Sequence, residues 1–281
     1  SELRAKFNSS TFSFNNVKNK NTSFIKSVLL SFKPISNITI NTSYYGGFRN
    51  PNIDDIGKIF SKDDANVVVP NANLEPEYAN NFELAFNYVL NRLNLEVQLF
   101  NTEISNAINR EPGTLNETDS MLYDGQMMRI QMNKNIESAS INGISLSTNF
   151  TANDHFLITA NCNYLKGVTN ENKPLAHIPP FNAKLSFNYQ LMQHIFDFYT
   201  NYNAWKLVKN YDEGGVDNLV EATSDGSPSW YTLNLAYTNK IDKNITFSFA
   251  VKNMLDSHYK TFGSGISASG RNFIIALHTA F

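Results

Sequence analysis

Strict alternation of apolar and polar residues, in runs of about ten, is the feature that most constrains this sequence. In the run that begins at Phe82, every second residue is apolar or small up to Leu90, while Asn81, Glu83 and Asn87 occupy intervening positions. Side chains alternate between the two faces of a β-strand, so this run predicts one apolar face and one polar face. A strand of about 9–11 residues is also long enough to cross a bilayer when tilted.

About twelve such runs follow one another, so the sequence predicts an all-β chain that forms a transmembrane antiparallel β-barrel. We expect strands at 1–14, 23–33, 37–48, 79–90, 93–109, 127–151, 155–167, 181–190, 194–208, 229–239, 244–253 and 270–281. Composition agrees, because aromatic residues make up 13% of the chain and charged residues only 17%. This balance favours strands and turns over helices.

The connections between the expected strands alternate in length. Every second one is tiny, as at Asn91–Arg92 and Asn153–Asp154, whereas the others run from about eight to about thirty residues. Outer-membrane barrels have short periplasmic turns and long extracellular loops. This parity predicts a bacterial outer-membrane protein with extracellular long loops and a periplasmic C-terminus at Phe281. We expect ligand recognition in the long loops, at about 47–78, 110–126, 168–180, 209–228 and 254–269.

Other features of the sequence exclude some classes of protein. No run of about 18 uncharged apolar residues exists, which excludes a transmembrane helix but not a barrel. The single cysteine, Cys162, excludes an intrachain disulfide. The net charge of −2, without a basic stripe, gives no support to nucleic-acid binding. No secretory signal opens the chain, so we expect a mature fragment whose N-terminal portion lies elsewhere.

Four stretches, in this order along the chain, carry a resemblance to a known family. They are 47–51 (GFRNP), 70–77 (PNANLEPE), 135–144 (NIESASINGI), and the end of the chain, 251–259 with 269–272 and Phe281. Each is similar to a motif of the TonB-dependent outer-membrane receptors, although Ser145 stands where the third motif has an acid. The resemblance implies a barrel of about 22 strands preceded by a plug domain. Residues 1–281 would then be the C-terminal part, about twelve strands, with the plug and the early strands absent from this chain.

For the motif residues we expect structural roles rather than direct ligand contact. Proline cannot donate to a strand ladder, so Pro51 and Pro76 are expected to stop pairing where the long loop leaves and re-enters the barrel. Asn71 and Asn73 tolerate turn conformations between them. The other motif positions that the resemblance implies are Leu74, Glu77, Asn253, Gly270, Arg271 and Phe281.

The resemblance implies TonB-dependent active uptake of a scarce solute across the outer membrane, most favourably an iron complex such as a ferric siderophore. It implies neither an enzyme nor a resident cofactor. The implied partners are outer-membrane lipid, TonB acting through the missing plug region, the N-terminal remainder of the same receptor, and the small-molecule ligand.

A receptor for haem or a haemoprotein stays open as the alternative. Haem receptors of the family commonly carry a histidine between the two loop motifs, and none lies between Phe48 and Pro76. His177 or His258, which lie in other long loops, could take its place.

Candidate ligand-binding residues are aromatic, cationic or imidazole side chains in or near the long loops. They are Phe48, Arg49, Tyr123, Arg129, His177 and Tyr211. Trp205 and Trp230 also lie near strand ends, where we prefer a place in the interfacial aromatic girdle over ligand contact.

The sequence gives little support to catalysis or to a protein metal site. The five histidines are scattered, without HExxH or Cys/His ligand spacing. A standalone twelve-stranded channel or outer-membrane enzyme stays open, but no Ser, His and Asp spacing singles out a nucleophile. Cys162 alternates with Ile158 and Tyr164 and is expected to be a small residue facing lipid.

Overall fold

The computed structural model describes residues 2–6, 16–20, 22–61 and 65–280. The strands are β1 (Glu2–Lys6), β2 (Asn16–Lys20), β3 (Ser27–Ile35), β4 (Ile38–Arg49), β5 (Phe60–Ser61), β6 (Asn66–Val69), β7 (Glu77–Leu90), β8 (Leu93–Pro112), β9 (Ser120–Tyr123), β10 (Gln126–Asn153), β11 (Phe156–Thr169), β12 (Asn182–Leu191), β13 (His194–Asn203), β14 (Lys206–Leu207), β15 (Gly226–Ser227), β16 (Trp230–Lys240), β17 (Ile245–Lys252) and β18 (Asn272–Thr279). The helical elements are one turn, α1 (Ile53–Ile56), and two 3-10 turns, Val208–Asn210 and Leu219–Glu221. Among the described residues, no helix is long and apolar enough to cross a membrane.

Eleven strands form one antiparallel wall in chain order, which runs β3, β4, β7, β8, β10, β11, β12, β13, β16, β17, β18. The all-β prediction is therefore confirmed, and each expected strand from 23–33 onward has a counterpart. Within the described strands, β3 and β18 are each paired on one side only, so the wall is open. The expected strand at 1–14 lies mostly outside the described residues; its described part, β1, pairs with β2.

The short connections are tight turns, as the parity of loop lengths predicts. Asn91 and Arg92 alone join β7 to β8, and Met192 and Gln193 alone join β12 to β13. Asn91 has φ 43° and Met192 has φ 51°. Asparagine adopts this left-handed conformation more readily than other non-glycine residues, which explains its place in the first turn. We call this end of the wall the short-turn end, and the opposite end the long-loop end.

The strand register gathers the apolar side chains on one face, which we call the outward face. Phe187 pairs with Ile158 of β11 and with Phe198 of β13, and the Phe187 and Phe198 rings lie 6.5 Å apart. The apolar side chains of the outward face form a continuous belt, which we call the apolar belt. These side chains are exposed: Phe82 is 52% exposed and Ile275 is 72% exposed. So large a contiguous apolar surface is rare on a soluble monomer and is what a lipid-facing barrel wall requires.

The inner face of the wall carries polar side chains that bond to one another across the strands. Ser145 Oγ on β10 donates to Asn163 Oδ1 on β11 over 2.8 Å. Asn163 Nδ2 in turn donates to Asn182 Oδ1 on β12 over 3.2 Å. Position 143 on this face is a glycine because the Phe100 ring covers it. A Cβ there would be 2.1 Å from Phe100 Cζ. The inner face is thus a polar surface with a few closely fitted side chains.

At the long-loop end, β8 and β10 continue well beyond the wall, to lengths of 20 and 28 residues. β6 joins β10 in parallel and β9 joins it in antiparallel orientation. The four side chains of a separate small core, Val67, Val69, Met128 and Ile130, are buried between them. The long stretches 47–78 and 110–126, expected as loops, therefore contain strands. These strands, β5, β6 and β9, are only two to four residues long, too short for alternation to reveal them.

Candidate functional site

A cavity of about 560 Å³ lies at the long-loop end, where the inner face meets the loops. Its floor is apolar and comes from β8 and β10 through Ile104, Ala139 and Ile141. Leu175, from the loop after β11, packs on this floor in a cluster of buried side chains. Charged and aromatic side chains form the rim, so the cavity combines apolar surface with groups that can orient a ligand.

Arg49 lines this cavity, but its charge is already matched. Its Nη1 donates to Asp55 Oδ2 over 2.6 Å, and its Nε donates to Glu77 Oε2. Glu77 Oε1 accepts the backbone N–H of Ile108 on β8 over 2.6 Å. Burial acts to lower the pKa of Arg49, but Glu77 and Asp55 together raise it above its ordinary value. Arg49 thus ties the end of β4 to α1, β7 and β8, which is a positioning role.

Arg110 of β8 lines the same cavity and is less well compensated. Its guanidinium carbon lies 5.4 Å from the centre of the Phe60 ring, and its buried Nε has no hydrogen-bond partner among the described residues. Burial lowers the pKa of Arg110, and the charge of Asp212 opposes this shift only in part. An anionic group in the cavity would restore the balance, because a buried cation is costly without a partner.

His177 lies on the rim and is held by a buried carboxylate. Its backbone N–H lies 3.0 Å from both oxygens of Asp217, and its Nδ1 lies 3.1 Å from Asp217 Oδ1. The His177 side chain is 77% exposed, whereas that of Asp217 is 1% exposed. A carboxylate at Nδ1 favours the tautomer that leaves a lone pair on Nε2. The arrangement therefore presents Nε2 as a ready ligand for a metal centre.

Burial raises the pKa of Asp217, and the neighbouring charge of Asp212 adds to this effect. The backbone N–H and imidazole of His177 and the ammonium group of Lys206 act in the opposite direction but do not cancel it. Lys206 is itself 4% exposed, and burial lowers its pKa. These opposing charges pack the loop after β11 against the loop between β13 and β16.

Tyr211, expected to contact ligand, belongs to this packing instead. It is 5% exposed, its hydroxyl lies 2.7 Å from Ser227 Oγ, and its ring meets Phe262 edge-on at 6.0 Å. Lys206 Nζ lies 4.4 Å from the centre of the Phe262 ring and donates to the carbonyl of Ile178. Tyr211 therefore joins three loops rather than lining the cavity.

The other expected ligand contacts lie away from the cavity. Phe48 is on the outward face and stacks on Tyr78 with ring centres 6.4 Å apart. Tyr123 packs against the small core beneath β9, and Arg129 is exposed on β10 where that strand pairs with β6. Of the six expected residues, the structure thus brings only Arg49 and His177 to one cavity. Sequence reasoning missed Arg110 because it stands where strand alternation has already ended.

The motifs 47–51 and 70–77 lie at the two ends of the first long loop. Pro51, Leu74 and Pro76 are all buried. Asn71 Nδ2 donates to a backbone carbonyl of β10 over 2.8 Å, and its Oδ1 accepts the N–H of Asn73 over 3.0 Å. These contacts hold the backbone of residues 71–73 against β10.

The motif at the end of the chain, 251–259 with 269–272, closes the loop between β17 and β18. Asn253 is 3% exposed with φ 51°, and its side-chain amide donates to two loop carbonyls over 2.9 and 3.3 Å. A Cβ at Gly270 would lie 2.7 Å from Asp256 Oδ1, the atom that accepts the backbone N–H of Arg271. Phe281 lies outside the described residues.

The two tryptophans differ in their placement. Trp205 is 42% exposed and lies near Tyr164 of the outward face, where the girdle is expected. Trp230 alternates with Tyr231 and shares the inner face with Thr232, stacked on Tyr259 at 4.2 Å between ring centres. The girdle interpretation is therefore wrong for Trp230. Within the described ranges, no group of three or more His, Cys, Asp or Glu side chains could hold a metal ion.

Comparison with protein families gives a match over nearly the whole chain. The model described as "TonB dependent receptor-like, beta-barrel" matches residues 3–254. The probable hemoglobin and hemoglobin-haptoglobin-binding protein 4 of Haemophilus influenzae is 27% identical over an alignment of 256 residues, which covers 84% of this chain and 25% of that protein. Hemoglobin-binding protein A of Haemophilus influenzae is 27% identical over an alignment of 262 residues, which covers 86% of this chain and 25% of that protein.

Solved structures share the fold. A mutant ferric enterobactin receptor from Pseudomonas aeruginosa, in complex with enterobactin, has a TM-score of 0.73 at 16% identity, covering 95% of this chain and 41% of that chain. The siderophore receptor PirA from Acinetobacter baumannii has a TM-score of 0.71 at 16% identity, covering 97% and 42%. The chain spans about a quarter of the length of the curated relatives and about two fifths of these structures.

Proposed function

The chain belongs to the family of TonB-dependent receptor-like β-barrels, a family of outer-membrane receptors rather than enzymes, and we propose that it forms part of a receptor for an iron complex. Residues 1–281 would be the C-terminal part of the barrel, about twelve of about 22 strands. The long loops would face the cell exterior and the C-terminus the periplasm. TonB would drive uptake through a plug domain outside this chain.

Among iron complexes, we propose haem, taken from a haemoprotein, as the ligand. The two curated relatives are described as haemoglobin-binding at 27% identity, whereas the siderophore receptors at 16% identity support the fold alone. The sequence argument favours a siderophore, since no histidine lies between Phe48 and Pro76. His177 answers that objection from another loop.

The observation that carries this proposal is the imidazole of His177, anchored at Nδ1 by the buried Asp217 carboxylate. Histidine is a common protein ligand of haem iron, and a carboxylate that accepts a hydrogen bond from the other ring nitrogen fixes the orientation of the imidazole. The apolar floor at Ile104 and Ile141 offers a surface for a porphyrin edge. Arg110, with its unpaired Nε, would face the carboxylates that a haem carries.

A ferric siderophore is the second candidate, and one observation favours it. Arg110 stands over the Phe60 ring within the cavity, and a cation beside an aromatic ring suits an anionic aromatic iron chelate. In that case the imidazole of His177 would not coordinate iron, so the two candidates differ in their dependence on this residue.

The test is a titration of the purified receptor with haemin, followed by the absorption band of histidine-ligated haem. We expect His177→Ala to abolish this band and Asp217→Asn to weaken haemin binding by about 10- to 100-fold. His258→Ala is the matched control, because His258 is another loop histidine whose Nε2 is engaged by Ser267 Oγ at 3.0 Å. If all three variants bind haemin like the parent while a ferric catecholate binds tightly, the siderophore candidate replaces haem.

A further inference from the structure

A second cavity, of about 270 Å³, lies where strand β11 extends beyond the end of its neighbour β12. The β11–β12 ladder ends at the pair Asn163 and Asn182, yet β11 continues to Thr169. Beside this extension of β11, the segment that leads into β12 contains Pro179 and Pro180, which lack the N–H needed to extend the ladder. The space left beside β11 is the cavity.

The strand register places Tyr164 and Lys166, which line one side of this cavity, on the outward face, directly beyond the apolar belt. Tyr164 pairs with Ile144, and both belong to the belt; Tyr164 is 50% exposed. Lys166 is two residues further along β11 and therefore shares that face. Gly167, on the opposite face, lies under Ile178, since a Cβ there would be 2.6 Å from Ile178 Cδ1. The cavity thus opens at the level where the belt gives way to the loops.

The chemistry of the cavity is cationic and aromatic. Lys166 is exposed, and within the described part of the chain its ammonium group has neither an ion pair nor a hydrogen bond. None of the described residues that line the cavity is acidic. The Trp205 ring forms another wall and is held by a hydrogen bond from its Nε1 to the carbonyl of Asp225 over 3.2 Å. Lys206 also lines the cavity, but its ammonium group is occupied by the carbonyl of Ile178.

We propose that this cavity binds the phosphate-bearing headgroup of a membrane lipid in the leaflet at the long-loop end. Lys166 would pair with the phosphate, while Tyr164 and Trp205 lie at the level of the headgroups, where amphipathic rings are favoured. The acyl chains would lie on the belt below Tyr164, because the cavity is continuous with that surface. This site rests on the chain spanning a membrane and is independent of which ligand the receptor takes up.

The experiment measures lipid binding to the purified receptor in detergent by native mass spectrometry, with lipid A as the probe and phosphatidylcholine as the zwitterionic comparison. We expect Lys166→Gln to weaken lipid A binding roughly fivefold, since one basic residue near an anionic lipid surface is worth about that factor. Trp205→Ala should weaken binding of lipid A as well. Lys209→Gln, which removes an exposed charge from the same loop region without touching the cavity lining, should leave it unchanged.

Retention of heat-modifiable migration in each variant shows that the barrel is folded. Equal lipid A binding by the parent and Lys166→Gln would overturn the proposal, as would equal losses in Lys166→Gln and Lys209→Gln. Inorganic phosphate is the remaining probe. If it displaces lipid A at equal concentration, the cavity is a site for free phosphate and the lipid assignment is wrong. Failure of haemin binding in the separate titration would leave these results untouched.

Discussion

Strand β8 passes through two environments along its 20 residues. In its first half, Leu95 and Leu99 face outward while Asn94 and Glu96 face inward, and each residue has a ladder partner on β7 and on β10. In its second half the alternation changes at Asn106, which has φ 53°, because Ile104 and Ala107, three positions apart, both line the cavity. Beyond Asn106 the strand carries buried and charged side chains of the cavity instead of a lipid-facing stripe.

The difference shows which contacts determine each region. In the wall, backbone ladders and the alternation of apolar and polar faces are sufficient to determine the structure. Many sequences with the same alternation would therefore form the same wall. At the long-loop end, individual side chains bond to particular backbone groups. Asn135 illustrates this: its Nδ2 donates to the carbonyls of Glu75 and Asn106 over 2.9 and 2.8 Å, and its Oδ1 accepts the N–H of Glu75 over 2.8 Å.

The largest expected effect tests the alternation of apolar and polar faces in the wall. Leu185 faces outward near the middle of β12, opposite Ala160 and Thr200. An arginine at the midplane of a barrel's lipid face costs about 2–4 kcal/mol, so Leu185→Arg should lower the free energy of unfolding by about that amount. Urea unfolding in lipid vesicles measures it.

Asn188→Arg is the matched control on the same strand. Asn188 faces inward and pairs with Asp197 of β13, so a cation there gains an opposite charge across the strands. We expect little change in the unfolding free energy. A loss as large as that of Leu185→Arg would contradict the assignment of the two faces.

The comparison also explains how much the sequence could predict. Alternation and loop parity are local signals, so they predicted the wall from 23–33 onward, and the expected lipid-facing position of Cys162 agrees with its pairing to Ala183 on the outward face. Even so, β13 ends at Asn203 rather than at 208. The chain leaves the wall there to place Trp205 beside the outward cavity.

The candidate site was harder to predict because its contacts join distant residues. His177 and Asp217 are 40 positions apart, and no spacing rule pairs a histidine with a carboxylate across two loops. Phe48 was expected near ligand because of its motif, but the register of β4 and β7 determines its face and directs it outward. Residue type alone could nominate Arg49 and His177; the packing of three loops was needed to find Arg110.

An intermediate effect is expected from the side-chain bonds that hold the long-loop end. Asn135→Ala would leave two carbonyls and one N–H without their partners, and a lost hydrogen bond to a partly buried group costs about 1–3 kcal/mol. We expect faster local hydrogen exchange around Glu75 and Asn106, with the wall strands unchanged. The result separates the two regions because the damage should stay at one end.

Asn101→Ala is the control for this prediction. Asn101 Nδ2 also bonds to side chains, Glu103 and Asn142, over 3.1 and 2.9 Å, but this cluster is exposed. Water can replace these partners, so exchange should hardly change. Exchange that rises along the whole of β8 in Asn135→Ala would show that the wall and the long-loop end unfold together and are not independent.

The smallest expected effect is a pH dependence confined to the loops. Burial raises the pKa of Asp217 above its ordinary value of 3.8, so the folded loops bind its proton more tightly than the opened loops do. Between the two pKa values, the opened state holds fewer protons, and loop stability therefore falls as pH rises through the folded pKa. Hydrogen exchange of residues 204–229, corrected for the intrinsic rate at each pH, measures this slope.

Asp217→Asn removes the titrating group while keeping an oxygen that can accept the N–H of His177. The slope should flatten in this variant, and exchange in the wall strands should be independent of pH in both proteins. A slope of opposite sign would mean that the charges of Lys206 and His177 outweigh burial at Asp217. The loop packing would then be held by its ion pairs, and the long-loop end would be more like a salt-bridged interface than a buried core with costly charges.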